Sequence, residues 1–325
     1  MPDSAMDMPS GRVIGLLHPG EMGASVGRCL TEAGHVVLWA SQGRGPETAA
    51  RARAAGLQDV GTAEEMAGRA EIILSICPPH AALDMAWAVQ GFGGLFVDAN
   101  AISPATAREV AAMVEDCGAG YVDGGIIGPP PAKPGSTRLY LSGPRAGPVR
   151  ELFDGTPLDA RVIDGGNWSA SAVKMAYAAW TKGTAALLLA TRALARAEGV
   201  QDALLAEWAL SQPGLADRCR GAAVSATAKG WRWVAEMEEI AAAMADAGLP
   251  DGFHQGAADI FRRVPRGGRA DARGEAADAR GGAADARRES ADPHAWPADR
   301  DDHVLDAVLA ALAPALTDDL SPAPD

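Results

Sequence analysis

Residues 13–23, Val-Ile-Gly-Leu-Leu-His-Pro-Gly-Glu-Met-Gly, constrain this chain more than any other stretch. An apolar run suited to a buried parallel strand passes through a turn of small residues into a helix-forming sequence. Gly20 and Gly23 stand at the second and third positions of a G-x-G-x-x-G pattern, with His18 at the first. The pattern has a physical basis: a pyrophosphate reaches the N–H groups of a helix N-terminus only where no Cβ blocks it. Histidine tolerates unusual turn dihedrals better than a β-branched residue, while Pro19 removes one N–H donor. A strand–turn–helix with two glycines also occurs in ordinary α/β structure, so on this segment alone both readings stand.

The alternation continues through the first half of the chain. A helix over 24–33 ends at Gly34, and 35–40 reads as the second strand, followed by the polar turn Ser41-Gln42-Gly43-Arg44. Residues 71–77 form a strongly apolar strand stopped by Pro78 and Pro79, and 95–99 another, ended by Asn100. Ser103-Pro104 is a helix start, since serine caps and proline suits the first turn. Strands over 121–127 and 138–142 flank a proline-rich loop. Strands interleaved with helices imply an α/β fold, a Rossmann-type doubly wound parallel sheet.

From 167 onward the pattern is helical only. Residues 168–198 hold no proline and one glycine. A helix of about 30 residues spans ~45 Å, which suits a spine joining two domains or two subunits. Further helices are expected at 202–211, 214–228 and 231–247. The expected organisation is a disordered N-terminus (1–10), a dinucleotide-binding Rossmann domain (11–166) and an all-helical C-terminal substrate and dimerisation domain (167–264). A disordered low-complexity linker (265–302) and a short helix with a tail (303–325) follow. The linker is a degenerate Ala-Asp-Ala-Arg repeat without an apolar face, unable to offset its ordering entropy. Residues 304–316 could form an amphipathic helix that docks on the body or a neighbour, or frays.

Composition narrows the function. Of 325 residues, 42 are acidic and 29 basic, a net charge of −13. That balance argues against nucleic acid or an anionic membrane surface as partner. The sequence has no apolar run of about 18 residues and no secretory signal pattern, so a cytoplasmic protein is expected. Cys29, Cys77, Cys117 and Cys219 are too dispersed for a zinc site or a disulfide scaffold.

The residues that could carry chemistry cluster at strand ends, where open parallel sheets bind ligands. An acid after the second strand would accept from the ribose 2′-OH of NAD; Ser41 and Arg44 instead suit the 2′-phosphate of NADP. NADP is therefore the expected cofactor, with NAD the other form. Cys77, Pro78, Pro79 and Asn100 follow two strands and are candidate cofactor contacts, with Asn100 also facing substrate. Cys77 has no nearby base and reads as packing. Lys174 lies in an apolar helical stretch with Tyr177 at i+3. Such a lysine either snorkels to solvent or, desolvated at an interdomain cleft, exchanges protons near neutral pH. Trp231 is a candidate substrate contact. Glu236, Glu239 and His254 make a weak metal set, and no metal is expected.

Taken together these residues resemble the β-hydroxyacid dehydrogenase and 6-phosphogluconate dehydrogenase superfamily over about 11–262. The resemblance is closest to its bacterial branch with a short phosphogluconate-dehydrogenase-like helical C-terminal domain. His18-Pro19-Gly20-Glu21-Met22-Gly23 takes the place of Gly-Leu-Gly-x-Met-Gly, and Asp98 to Pro104 that of Asp-x-Ser-Thr-x-x-Pro. Asp123 to Pro129 looks like the Asp-Ala-Pro-Val-Ser-Gly-Gly substrate loop, with Ile127 at its serine. The resemblance implies Lys174 as catalytic lysine, Tyr177 as its helper where Ala178 replaces the usual asparagine, and Ile127, Gly128 and Pro129 at the substrate. With the NADP read from Arg44 it implies an NADP-dependent oxidoreductase acting on a small hydroxyacid-like or polar alcohol/carbonyl substrate, and the long helix makes a homodimer the expected assembly. The alternatives are an imine or ketimine reductase and a non-catalytic dinucleotide sensor.

Overall fold

The computed structural model describes residues 11–267 and 298–313. They form two compact units, one of residues 11–178 with 242–250, the other of residues 179–241 with 251–267 and 298–313.

The first unit is built on β1 (Val13–Leu17), α1 (Glu21–Glu32), β2 (Val36–Trp39), α2 (Pro46–Ala54), β3 (Gln58–Asp59), α3 (Ala63–Arg69), β4 (Ile72–Ser75) and α4 (Ala82–Trp87). It continues with β5 (Leu95–Asp98), α5 (Pro104–Glu115), β6 (Gly120–Ile127), β7 (Thr137–Ser142), α6 (Ala146–Glu151) and β8 (Leu158–Val162). The eight strands lie in the order β3-β2-β1-β4-β5-β6-β7-β8. All neighbours are parallel except β6 and β7. The reversal of order beside β1 places the β1–α1 turn at the crevice where such sheets bind ligands. The expected Rossmann-type fold is present.

Strand pleat sorts the core into two layers. Leu16, Val37, Leu74 and Val97 pack on one face with Val26 and Leu30 of α1. Leu38, Ile73 and Phe96 pack on the other with Met66 of α3 and Val110 of α5. The central strands β1, β2, β4 and β5 are apolar at consecutive positions because both faces are covered. Local signals set the helix ends: Ser103 Oγ accepts from Thr106 N, with Pro104 in the first turn of α5. Gly34 takes φ +89° just after α1, a conformation that favours glycine. The two-residue β3 was not foreseen; it is too short for a period-2 signal.

α7 (Ser169–Ala197) is the expected long helix, of 29 residues. The helices after it are α8 (Gln201–Ser211), α9 (Leu215–Asp246), α10 (Gly252–Arg263) and α11 (Ala298–Leu312). Two expectations are corrected here. The helices anticipated at 214–228 and 231–247 are one, α9. Gly230 lies within it, and a Cβ there would meet only Ala226 Cβ at 3.7 Å and Phe261 at 3.9 Å. An interior glycine costs a helix about 1 kcal/mol, less than the packing that holds this one. The terminal helix begins at Ala298, not 304, so 298–302, read as linker, is helical; 268–297 and 314–325 lie outside the described residues. Leu305, Val308, Leu309 and Leu312 are buried at the 3–4 spacing of an amphipathic helix. Asp302 and Asp306 pair with Arg220 and Arg196, which anchors the earlier turn.

Candidate functional site

At the β1–α1 turn the glycines fit a phosphate. A Cβ on Gly23 would meet His18 O at 2.6 Å, so the turn closes only around glycine. Gly20 caps α1, and no side chain accepts from its first N–H groups. Those donors have no partner within the helix and suit an anion. His18 holds φ +61°. The remaining fingerprint side chains differ: Glu21 is exposed and Met22 packs partly on the core.

The β2–α2 loop places Arg44 beside this turn. Its Nη1 donates to His18 Nδ1 at 3.1 Å and its Nη2 to Met85 Sδ at 3.4 Å. Ser41 is half-buried, and its carbonyl accepts from Arg44 N. Arg51, which sequence reasoning missed, donates to Thr48 Oγ1 at 3.0 Å and to Pro19 O at 3.5 Å. Its signal was available: it is a basic side chain in α2, the helix that follows Arg44. The turn therefore has two guanidinium groups near uncapped helix donors, and the residues present fit a dinucleotide phosphate.

Asn100 braces two strand ends. Its side chain is 2% exposed. Nδ2 donates to Ser75 Oγ at 3.0 Å, and Oδ1 accepts from Cys77 N at 2.6 Å. Both groups thus brace the ends of β4 and β5. Asp98 Oδ1 accepts from Asn100 N at 2.8 Å, extending the brace. Burial pushes the Cys77 thiol up to about 12, which leaves it protonated and inert, as read from the sequence.

The end of β6 presents Lys174. Its Nζ donates to Ile126 O at 2.9 Å, and burial alone lowers the ammonium to about 8. The helix carrying it is pinned to the sheet by Asp123, 1% exposed. That carboxylate accepts from Ser171 N and Ser171 Oγ, and from Ser142 Oγ. Ser142 Oγ in turn accepts from Ala170 N. A carboxylate at the first turn of α7 suits its dipole, while burial raises the Asp123 carboxyl above its usual range. Gly125 is required where α7 crosses β6, because a Cβ would meet Ala170 O at 2.7 Å. Tyr177, one turn beyond Lys174, is 48% exposed.

The loop after β6 begins at Gly128, φ +126°, where a Cβ would meet Ser136 O at 2.4 Å. Gly128 and Pro129 are exposed, whereas Ile127 is buried in the sheet. Trp231 lies in the second unit with its ring 4.8 Å from the Arg232 guanidinium and 5.8 Å from that of Arg266. Glu236 is ion-paired with Lys182, and His254 bonds the Ala179 backbone. Among the described residues no three His, Cys, Asp or Glu side chains gather as a metal set, and no helix is long and apolar enough to cross a membrane.

Comparison with known proteins places this geometry. Residues 13–147 match the NAD binding domain of 6-phosphogluconate dehydrogenase, and 195–264 match DUF1932, a domain of unknown function. No curated protein matches the chain significantly. Among solved structures, the protein MTH1747, described as of unknown function and structurally similar to 3-hydroxyacid dehydrogenases, is 26% identical. Its TM-score is 0.59, over 78% of this chain and 97% of that one. A conserved hypothetical protein from Sinorhizobium meliloti is 20% identical, with TM-score 0.61 over 94% of this chain and 98% of that one. Mycobacterium tuberculosis 3-hydroxyisobutyrate dehydrogenase is 21% identical, with TM-score 0.60 over 78% and 93%. Over residues 13–147 the chain is therefore similar to the NAD binding domain of 6-phosphogluconate dehydrogenase, and over 195–264 to DUF1932.

Proposed function

We propose that this chain is an NADP-dependent oxidoreductase that interconverts a small hydroxyacid-like or polar alcohol with its carbonyl. The observation that carries the reading is Lys174, a desolvated amine held on Ile126 O at the end of β6, lowered to about 8. Near neutral pH such a group exchanges protons readily in both directions.

A bound nicotinamide supplies or accepts the hydride. The N-terminus of α1 binds the dinucleotide phosphates, and Arg44 binds the 2′-phosphate. Lys174 takes the hydroxyl proton during oxidation and returns it during reduction, and Tyr177 orients the substrate oxygen. Exposed backbone at Gly128 and Pro129 positions the rest of the substrate. Asn100 acts at one remove by holding the β4 and β5 ends. The M. tuberculosis dehydrogenase, solved with L-serine, supports the hydroxyacid class by its shared fold.

Nicotinamide fluorescence titrations with NADPH and NADH, followed by assays on hydroxyacids and on cyclic imines, test the reading. Hydroxyacid turnover abolished by Lys174→Ala, with NADPH binding kept, is expected. Turnover of imines alone, or full activity in the variant, refutes it. The homodimer belongs to the same proposal. Val173, Trp180, Leu187 and Leu194 recur every seven residues on α7 and are exposed, a stripe suited to a second copy's helix. A monomer in sedimentation would refute that part.

A further inference from the structure

The turn after β1 has fewer backbone donors than its glycine pattern suggests. Pro19 has no N–H, and the Gly20 N–H is turned back onto His18 O at 2.7 Å. Among the described residues His18 is the one non-glycine with positive φ, a conformation that an L side chain adopts at a cost and that recurs at ligand sites. Its ring lies against Gly20: a Cβ on Gly20 would stand 3.3 Å from His18 Nε2. On the other side of the ring, Nδ1 receives Arg44 Nη1 at 3.1 Å. Arginine has donors only, so Nδ1 is the acceptor and the ring proton is on Nε2. That nitrogen is the one beside Gly20, the N-cap of α1.

We infer that His18 donates its Nε2–H to the pyrophosphate of the bound dinucleotide, replacing the backbone donors lost at Pro19 and Gly20, and that Arg44 sets the tautomer that makes this possible. The strained backbone is what brings the imidazole over the turn. Arg44 acts on the pyrophosphate through His18, in addition to any contact of its own with a 2′-phosphate. The inference rests on the dinucleotide-binding reading above.

The decisive variant is His18→Gly, which restores the third glycine of the pattern. A simple fingerprint would gain from it; the assigned role requires a loss. Kd for NADH and NADPH is measured by nicotinamide fluorescence, with melting of the cofactor-free protein as the fold control. The expected result is a melting temperature unchanged or raised, with both nucleotides bound about tenfold more weakly, the worth of one charge-assisted hydrogen bond. The loss should be equal for the two, because they share the pyrophosphate. His18→Gln, whose Nε2–H has a similar reach, should recover most of the affinity and serves in its own right if the glycine variant fails to fold. Affinity in His18→Gly equal to or above wild type overturns the inference and leaves the dinucleotide reading standing. A loss confined to NADPH also overturns it, since His18 would then serve only to hold Arg44 at the 2′-phosphate. Wild-type protein that binds neither nucleotide overturns the dinucleotide reading itself.

Discussion

Replacing Lys174 by methionine should make the protein more stable and less active at once. Burial lowers this lysine from 10.5 to about 8, and a displacement of that size corresponds to about 3 kcal/mol spent on keeping the ammonium charged in the folded state. Methionine fills a similar volume without charge. It forfeits the hydrogen bond to Ile126 O, worth about 1 kcal/mol, so the net gain near pH 7 is about 2 kcal/mol. The sign of its pH dependence follows from linkage. The folded value lies below the unfolded one, so between pH 8 and 10.5 the unfolded chain retains a proton that the folded chain has released, and wild-type stability rises across that window. The variant's advantage is therefore full below pH 8, shrinks above it, vanishes at about pH 9.5 and has reversed by about pH 10.5. Chemical denaturation of both proteins at pH 7, 8.5 and 10 measures this directly. Turnover should fall by ~10²–10⁴, the usual contribution of a general acid or base. A variant less stable than wild type at pH 7, or an advantage independent of pH, would show that Lys174 is not desolvated as the geometry indicates.

Three further outcomes are expected. Arg44→Ala should weaken NADPH by roughly 10- to 100-fold, the worth of charge-assisted bonds to a phosphate, and NADH by less, at most about tenfold through the lost hold on His18; an equal loss for both would remove its 2′-phosphate role. Asp123→Ala should destabilise by about 3 kcal/mol in denaturant titrations, because it strands the buried Ser171 N–H. Asp123→Asn should cost only about 1 kcal/mol, since an amide oxygen can keep that N–H while its NH₂ donates to a rotated Ser171 hydroxyl; equal losses in the two variants would refute this hydrogen-bond account. Gly230→Ala should stabilise by about 0.5–1 kcal/mol, because its Cβ meets only ordinary contacts within α9; a lower melting temperature would contradict the unbroken helix.

The sequence by itself determined the Rossmann-type alternation of strands and helices, apart from the two-residue β3, the position of the β1–α1 turn and the long helix α7. All of these rest on short-range patterns: apolar runs of strand length, Ser103-Pro104 at a helix start, Gly34 at a helix end, thirty residues without proline. It also pointed to Lys174, through its isolation among apolar neighbours and its likeness to the family lysine. Hydrogen-bond choice was decided only by tertiary structure. Asn100 turns inward because Ser75 and Cys77, more than twenty residues earlier, arrive beside it when β4 pairs with β5. Arg44 meets His18 because β2 lies against β1, and Asp123 pins α7 across a separation of 48 residues. A polar side chain takes whichever partner the fold brings within about 3 Å, and that partner is set by strand pairing and helix docking, which local periodicity does not encode.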